Sequence, residues 1–346
     1  MLHSVIRNAP SLVTARGCVL GLMLGDAIGA TGGTVPASGQ LRATSAGQLA
    51  CFTVDGLIRA RIRGMHRGIT HPPGMVWYAY NRWAVLQGID GVKPAYGSDP
   101  PTGWLAEVPV LRERRRSAPA TVAALQKGVV GTVERPGGAS IGAHALTRAL
   151  PAGLCTWWES PGSLGASLAA LTHGGSALPA AALGATMIHL IGLGNTVAGA
   201  AMRAHSVPHG SWSGTTGDVL APALAAAEAK PADPAQLTRL AAGATAQAAL
   251  LGGVYVAVSF PEREQVREAL LFASSAGAKH AATVAGALLG AAHGVDALPV
   301  DWLSRLELAW VADTLARDYV TQLEHSPSGA EYVEATDPYW LGRYGG

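Results

Sequence analysis

Forty-four glycines in 346 residues, set among stretches whose apolar residues recur at helical spacing, constrain this chain most. Glycine costs roughly 1 kcal/mol relative to alanine inside a helix, so such helices are not held by propensity. Tertiary packing must hold them, and helices rich in alanine and glycine can approach one another closely. β-Branched alternation is scarce. The expected fold class is therefore all-α, a single compact multi-helix bundle joined by glycine-rich loops.

Leu20, Leu22, Met23 and Ile28 mark one apolar stretch, and Leu49, Phe52, Thr53 and Leu57 a clearer helix face. Further helices are expected over 75–88, 119–127, 165–171, 181–204, 218–229, 233–251, 262–274, 281–292 and 301–319. Asp233 before Pro234 fits an N-cap followed by proline in the first turn. The stretch from Leu178 to Ala201 is long and apolar enough to span a bilayer. His189, Asn195 and several glycines interrupt it, and it has no flanking basic clusters or aromatic belt, so a buried helix explains it better.

No composition break divides the chain. The expected organisation is a lead-in over 1–15, one helical domain over 16–320 and a tail over 321–346. The polar, tyrosine-rich tail after His325 is expected to pack loosely or to cover a neighbouring surface. Gly88–Pro101 and Ser206–Gly217, the latter holding His209 and Trp212, read as loops.

Hydrophobic residues make up 49% and charged residues 14%, which excludes intrinsic disorder. With 25 Lys and Arg against 23 Asp and Glu there is no broad field to attract nucleic acid. Cys18, Cys51 and Cys155 form no CxxC pair and are odd in number. A disulfide framework or zinc knuckle is not expected, and a reducing cytoplasm fits. Met1–Gly17 has no long apolar run between Arg7 and Arg16, so no signal peptide is expected.

The run Gly17-Cys18-Val19-Leu20-Gly21-Leu22-Met23-Leu24-Gly25-Asp26-Ala27-Ile28-Gly29-Ala30 resembles the opening motif of the ADP-ribosylglycohydrolase family. That family includes dinitrogenase-reductase-activating glycohydrolases and J1 crystallins. Tyr78-Ala79-Tyr80-Asn81-Arg82-Trp83, then Gln87-Gly88, is similar to its Tyr-x-Arg-Trp helix. Ser140–Pro151 resembles its glycine-rich loop and the helix that follows, Leu171-Thr172-His173-Gly174 its Thr-His motif, and Ala285–Gly294 its last core helix. Five pieces in the family's order imply the family's all-α fold over about Arg16 to Tyr319. They also imply cleavage of a glycosidic bond at C1 of an ADP-ribosyl group at a binuclear magnesium site.

The metal-holding elements of the resemblance are altered. Thr44, Ser45, Ala46 and Gly47 stand where Thr-Asp-Asp-Thr is expected, before the helix that carries Phe52-Thr53-Val54-Asp55-Gly56. Ala276-Gly277-Ala278-Lys279-His280-Ala281 stands where Gly-Asp-x-Asp-Ser/Thr is expected. No acid lies between Asp26 and Asp55, where a Glu is expected. Magnesium demands hard oxygen ligands, so no metal ligands and no cofactor are assigned.

Asp26, Lys279 and His144 are the candidate catalytic residues, and Ser140, Gly142, His173, Arg148 and His280 the candidate ligand-binding ones. The resemblance places Ser140 and Gly142 in a loop that cradles a diphosphate through backbone N–H groups. Lys279 can supply the charge the metals supplied, or act as a base if burial lowers its pKa. His144 can shuttle a proton. Structural roles stand beside these: a cap for Asp26, a backbone-bonded core histidine for His173, a core role for Arg148, a cavity filler or solvent-facing side chain for Lys279. Arg112-Glu113-Arg114-Arg115-Arg116 reads as a solvated face, with a phosphate-steering rim as the alternative.

Three functions remain open. One is a metal-independent glycohydrolase acting on an N-ribosyl bond of a small NAD- or ADP-ribose-like molecule, without nucleic-acid or membrane partners. Another is a pseudoenzyme that binds a nucleotide or a protein partner. The third is a metal-free cyclase, lyase or isomerase, favoured if Trp77, Trp157, Trp158 or Trp212 line the cavity.

Overall fold

The computed structural model describes residues 9–92, 101–208, 214, 216 and 218–345. In chain order the helices are α1 (Leu12–Gly29), α2 (Ser45–Arg67), α3 (Pro72–Leu86), α4 (Pro119–Lys127), α5 (His144–Thr147), α6 (Pro161–Ala170), α7 (Ala177–Gly192) and α8 (Val197–Ala204). There follow α9 (Ala221–Ala229), α10 (Pro234–Leu240), α11 (Ala246–Ser259), α12 (Val266–Ser275), α13 (Lys279–His293), α14 (Val300–Leu303), α15 (Ala309–Glu324) and α16 (Trp340–Tyr344). Short 3₁₀ turns join several of them, and among the described residues β structure is limited to isolated bridges. The chain is all-α.

The axis of the bundle is the antiparallel pair α1–α13. Gly17, Gly21, Gly25 and Gly29 recur every four residues, so they line one face of α1. A Cβ at these positions would lie 1.9 Å from the Gly290 carbonyl oxygen, 2.1 Å from that of Gly286, 2.2 Å from that of Ala282 and 2.4 Å from that of Lys279. From the other side, a Cβ on Gly286 or Gly290 would meet the Gly21 or Gly17 carbonyl at 2.2 and 2.0 Å. The backbones are in contact, and the glycines are there because no side chain fits. This contact sets the end of α1, with Asp26, beside the start of α13, with Lys279.

Around that axis, α13 also packs on α11 and α12, α1 on α15, α2 on α3 and α15, and α6 on α7. α4 spans the expected residues, and Asp233 caps α10 through a bond from Ala235 N to Oδ1 at 2.9 Å. Three expected helices are broken. The 181–204 stretch splits into α7 and α8 at Leu193–Asn195, where Gly194 has φ +91°. The 233–251 stretch splits at Ala241–Thr245, around Gly243 at φ +86°. The 301–319 stretch splits at Ser304–Leu308, where Leu306 leaves the helix to bridge with Leu41.

α15 continues to Glu324, through the expected boundary at 320. The tail packs in part: Trp340 and Tyr344 are buried, and Arg343 pairs with Asp318 at 2.7 Å. Tyr332 and Tyr339 are exposed. Among the described residues the helix long and apolar enough to cross a membrane is α1, of which 83% is buried, rather than the 178–201 stretch. His209 and Trp212 lie outside the described residues.

Candidate functional site

Asp26 sits one turn from the end of α1 and is buried. Its Oδ2 accepts from Thr44 N at 2.6 Å and Gly47 N at 3.1 Å, and its Oδ1 accepts from Thr44 Oγ1 at 2.8 Å. Thr44 Oγ1 in turn accepts from Ala46 N at 3.1 Å, as the N-cap of α2. The carboxylate therefore holds the otherwise unpaired N–H groups that open α2. Burial pushes its pKa above the ordinary value, opposed by the Thr44 and Gly47 bonds and by the charge of Lys279.

Lys279 and His280 are the first two residues of α13, which begins two residues before the expected start at 281. The backbone of Lys279 packs on Gly29, and its half-buried side chain has no hydrogen-bond or ion-pair partner among the described residues. Across from it, His144 opens α5 and meets the His280 ring edge-on, with centroids 5.6 Å apart. Burial lowers the pKa of His144 to about 4, helped by Arg148 and Lys279, and that of His280 to about 3, helped by His144 and Lys279. Both rings are neutral at pH 7.

Asp26, Thr44, His144, Lys279 and His280 line one cavity of about 290 Å³ with Ala30, Arg116 and Ser117. Arg116 was not among the expected site residues; Arg112, Glu113, Arg114 and Arg116 are exposed, as a solvated face requires, but the run is anchored. Ser45 N donates to the Arg115 carbonyl at 2.7 Å, and Gln48 Nε2 donates to the Glu113 carbonyl at 3.0 Å, so the opening of α2 holds the run in place. Arg115 is clamped by Glu307 at 2.9 Å and Glu113 at 2.6 Å. Arg116 takes φ +62°, a costly conformation for a side-chain-bearing residue. It reaches across the rim to donate to the Ala30 carbonyl at 2.9 Å.

Two clefts adjoin. One of about 380 Å³ shares Ala30, Thr44 and Arg116 and adds Arg42, Arg114 and Arg115. The other, of about 460 Å³, shares Lys279 and His280 and lies between the 241–244 and 276–278 segments. Cations dominate the first of these and the central cavity, where Asp26 is the lone carboxylate among the described residues.

The remaining expected residues lie beside His144 in a second cluster, with His173 and Arg148 buried and Ser140 and Gly142 half-buried. Gly142 N donates to Ser140 Oγ at 3.2 Å, and Gly142 pairs with Thr245 in an isolated antiparallel bridge. A Cβ on Gly142 would lie 3.6 Å from His173 Nε2. His173 Nδ1 shares a hydrogen bond with Thr172 Oγ1 at 2.7 Å. Burial, with Arg148 and His144 nearby, lowers its pKa to about 2. Arg148 is fully buried in the core rather than on the cavity wall. It donates to Thr121 Oγ1 at 2.7 Å and to Thr172 Oγ1, and lies over the Tyr80 ring at 4.7 Å. Arg148 thus ties α5 to α3, α4 and the end of α6, while Ser140 and Gly142 hold the loop before α5 to Gly174 and Thr245.

Magnesium does not fit these donors. Asp26 supplies a single carboxylate that already accepts three hydrogen bonds, the other donors are hydroxyls and imidazoles, and an ammonium and a guanidinium share the space. Among the described residues no group of three or more His, Cys, Asp or Glu is placed to hold a metal. Trp77 is in the core, Trp157 lies against Arg61 and donates to Tyr319 Oη at 3.3 Å, and Trp158 meets His71. None of the three lines the central cavity. Asp55 is remote from it and pairs with Arg59 and Arg82.

An all-α bundle with its cavity where α1, α2, α5 and α13 converge defines the class. The family model for ADP-ribosylglycohydrolase matches residues 9–329, and the chain belongs to that family. No curated protein matches it. A solved structure described as an ADP-ribosylglycohydrolase-related protein complex is 19% identical, with TM-score 0.58, covering 90% of this chain and 98% of that one.

Proposed function

We propose that the chain is a glycohydrolase that works without metal and cleaves the N-ribosyl bond of a small, anionic, nucleotide-derived molecule in a reducing cytoplasm. The observation that carries this reading is the replacement of a carboxylate-rich centre by one fixed carboxylate flanked by Lys279 and Arg116. Two cations attract phosphate directly, where two carboxylates would need metal to do so. The neutral His144 and His280 add hydrogen-bonding partners to the same wall.

The chemistry suits a leaving group that is already cationic, such as a pyridinium. The C1–N bond breaks toward an oxocarbenium-like state, and its electron pair returns to the ring nitrogen, which leaves neutral. Water bonds to C1 and gives its proton to Asp26. A carboxylate made more basic by burial suits that role, and the α2 N–H groups hold it in position. Lys279 and Arg116 anchor the phosphate end.

A second reading, a pseudoenzyme that binds such a nucleotide without turnover, is favoured by the three hydrogen bonds that already occupy Asp26. The test is to incubate the protein with NAD, ADP-ribose, simple nucleosides and ADP-ribosyl-arginine, in EDTA or in magnesium, and to follow products by mass spectrometry. Turnover in EDTA that is lost in Lys279→Ala supports the enzyme. Binding without turnover supports the second reading.

A further inference from the structure

Along α2, the 14 residues from Ser45 to Arg59 span about 21 Å at 1.5 Å per residue. There a larger cavity of about 670 Å³ opens, lined among others by Arg59, Arg63, His71, Met75, Tyr78 and Val130. It shares no residue with the cavity around Asp26.

Among the described side chains its charge is unbalanced. Arg59 is 4% exposed and donates through Nε to both oxygens of Asp55, at 3.1 and 2.9 Å, and through Nη2 to the Thr102 carbonyl at 2.9 Å. Arg82 pairs with the same carboxylate. Burial lowers its pKa only to about 10, so it remains charged at neutral pH. Two buried guanidiniums on one carboxylate leave an excess of one positive charge. Arg63, one turn further on the same face of α2, is exposed and has no hydrogen-bond or ion-pair partner among the described residues. Among the described residues no Asp or Glu lines the cavity, and Met75, Tyr78 and Val130 make much of its wall apolar.

We propose that this cavity binds an amphipathic organic monoanion, a carboxylate or sulfonate on a compact apolar body. Arg63 hydrogen-bonds the anionic group, the excess charge at Arg59 and Arg82 attracts it, and the body lies against Met75, Tyr78 and Val130. Its volume is in the range of ligand pockets, roughly 300–1,000 Å³. The site is independent of the chemistry proposed at Asp26.

Naphthalene-2-sulfonate and its uncharged counterpart 2-methylnaphthalene, titrated calorimetrically into the full chain, test the proposal. The sulfonate binds with one-to-one stoichiometry and the uncharged compound much more weakly. Arg63→Met lowers affinity for the sulfonate by about tenfold, the loss expected for a hydrogen bond to a charged group. Arg63 is exposed, so this variant folds. Met75→Trp fills the cavity and abolishes binding with all charges kept. Failure of the wild type to bind, equal affinity for the uncharged compound, or unchanged affinity in Arg63→Met would each overturn the proposal. Turnover at the distant cavity is not a readout of this experiment, so the two proposals fail separately.

Discussion

The start and the middle of α2 solve one problem differently. At the N-terminal end Asp26 is neutralised by backbone N–H groups and a threonine hydroxyl, which are dipoles, and Lys279 and Arg116 are left without a paired carboxylate. At mid-helix Asp55 is neutralised by two guanidiniums, which are full charges. A carboxylate held by dipoles keeps its own charge available to a nearby ligand. One held by two cations is spent in structure and leaves the surplus charge positive. The comparison sets the carboxylate of α1 that is proposed to react against an architectural one on α2.

The largest effect is expected where the full charges are uncovered. Asp55→Asn leaves two buried guanidiniums without a counter-charge and should cost about 3–5 kcal/mol in urea unfolding. Gly21→Ala places a methyl 2.1 Å from the Gly286 carbonyl. The helices must part, and about 3 kcal/mol or more should be lost, with any activity at Asp26 falling further than naphthalene-2-sulfonate binding near Arg63. Asp26→Asn keeps shape and some capping, so a smaller cost of about 1–2 kcal/mol is expected, with turnover abolished. Equal losses for Asp55→Asn and Asp26→Asn would break the distinction drawn above.

A pH series sharpens it further. The pKa values of His144, His280 and His173 are lowered by folding to about 4, 3 and 2. Below the ordinary histidine value near 6.5, the unfolded chain binds protons that the folded chain refuses. Their contribution to stability is complete above about pH 6.5 and is lost as pH falls toward those lower values. Unfolding midpoints should drop over that window, and His144→Gln and His280→Gln should each flatten the slope. An unchanged slope in both variants would mean that the rings are not held neutral.

The fold was legible because the glycine spacing from Gly17 to Gly29 and the later small-residue helix require backbone contact, whichever loops join them. Helix breaks were harder to read. Leu193–Asn195, Ala241–Thr245 and Ser304–Leu308 continue apolar patterns, and the chain leaves the helix through positive-φ glycines or a distant partner such as Leu41. Lys279 and His280 could be read as cavity residues from their place before Ala285-Gly286-Ala287. Arg116 could not, because a basic run looks solvated unless one knows that Ser45 N, some 70 residues away in sequence, binds the Arg115 carbonyl. Arg148 and His173 show the converse. Their place in motif-like segments suggested ligand contact, whereas Arg148 bonds Thr121 and Thr172 across helices and His173 bonds its neighbour Thr172.

The most direct test of the central claim, that positive charge now stands in for metal at the α1–α13 end of the cavity, is a product assay on NAD in EDTA with Lys279→Ala as the control. The backbone of Lys279, not its side chain, packs against Gly29, so the variant should unfold within about 0.5 kcal/mol of wild type. The account predicts nicotinamide release that is indifferent to EDTA and falls by about tenfold or more in Lys279→Ala. Release that requires magnesium, or that survives unchanged in Lys279→Ala, would contradict it.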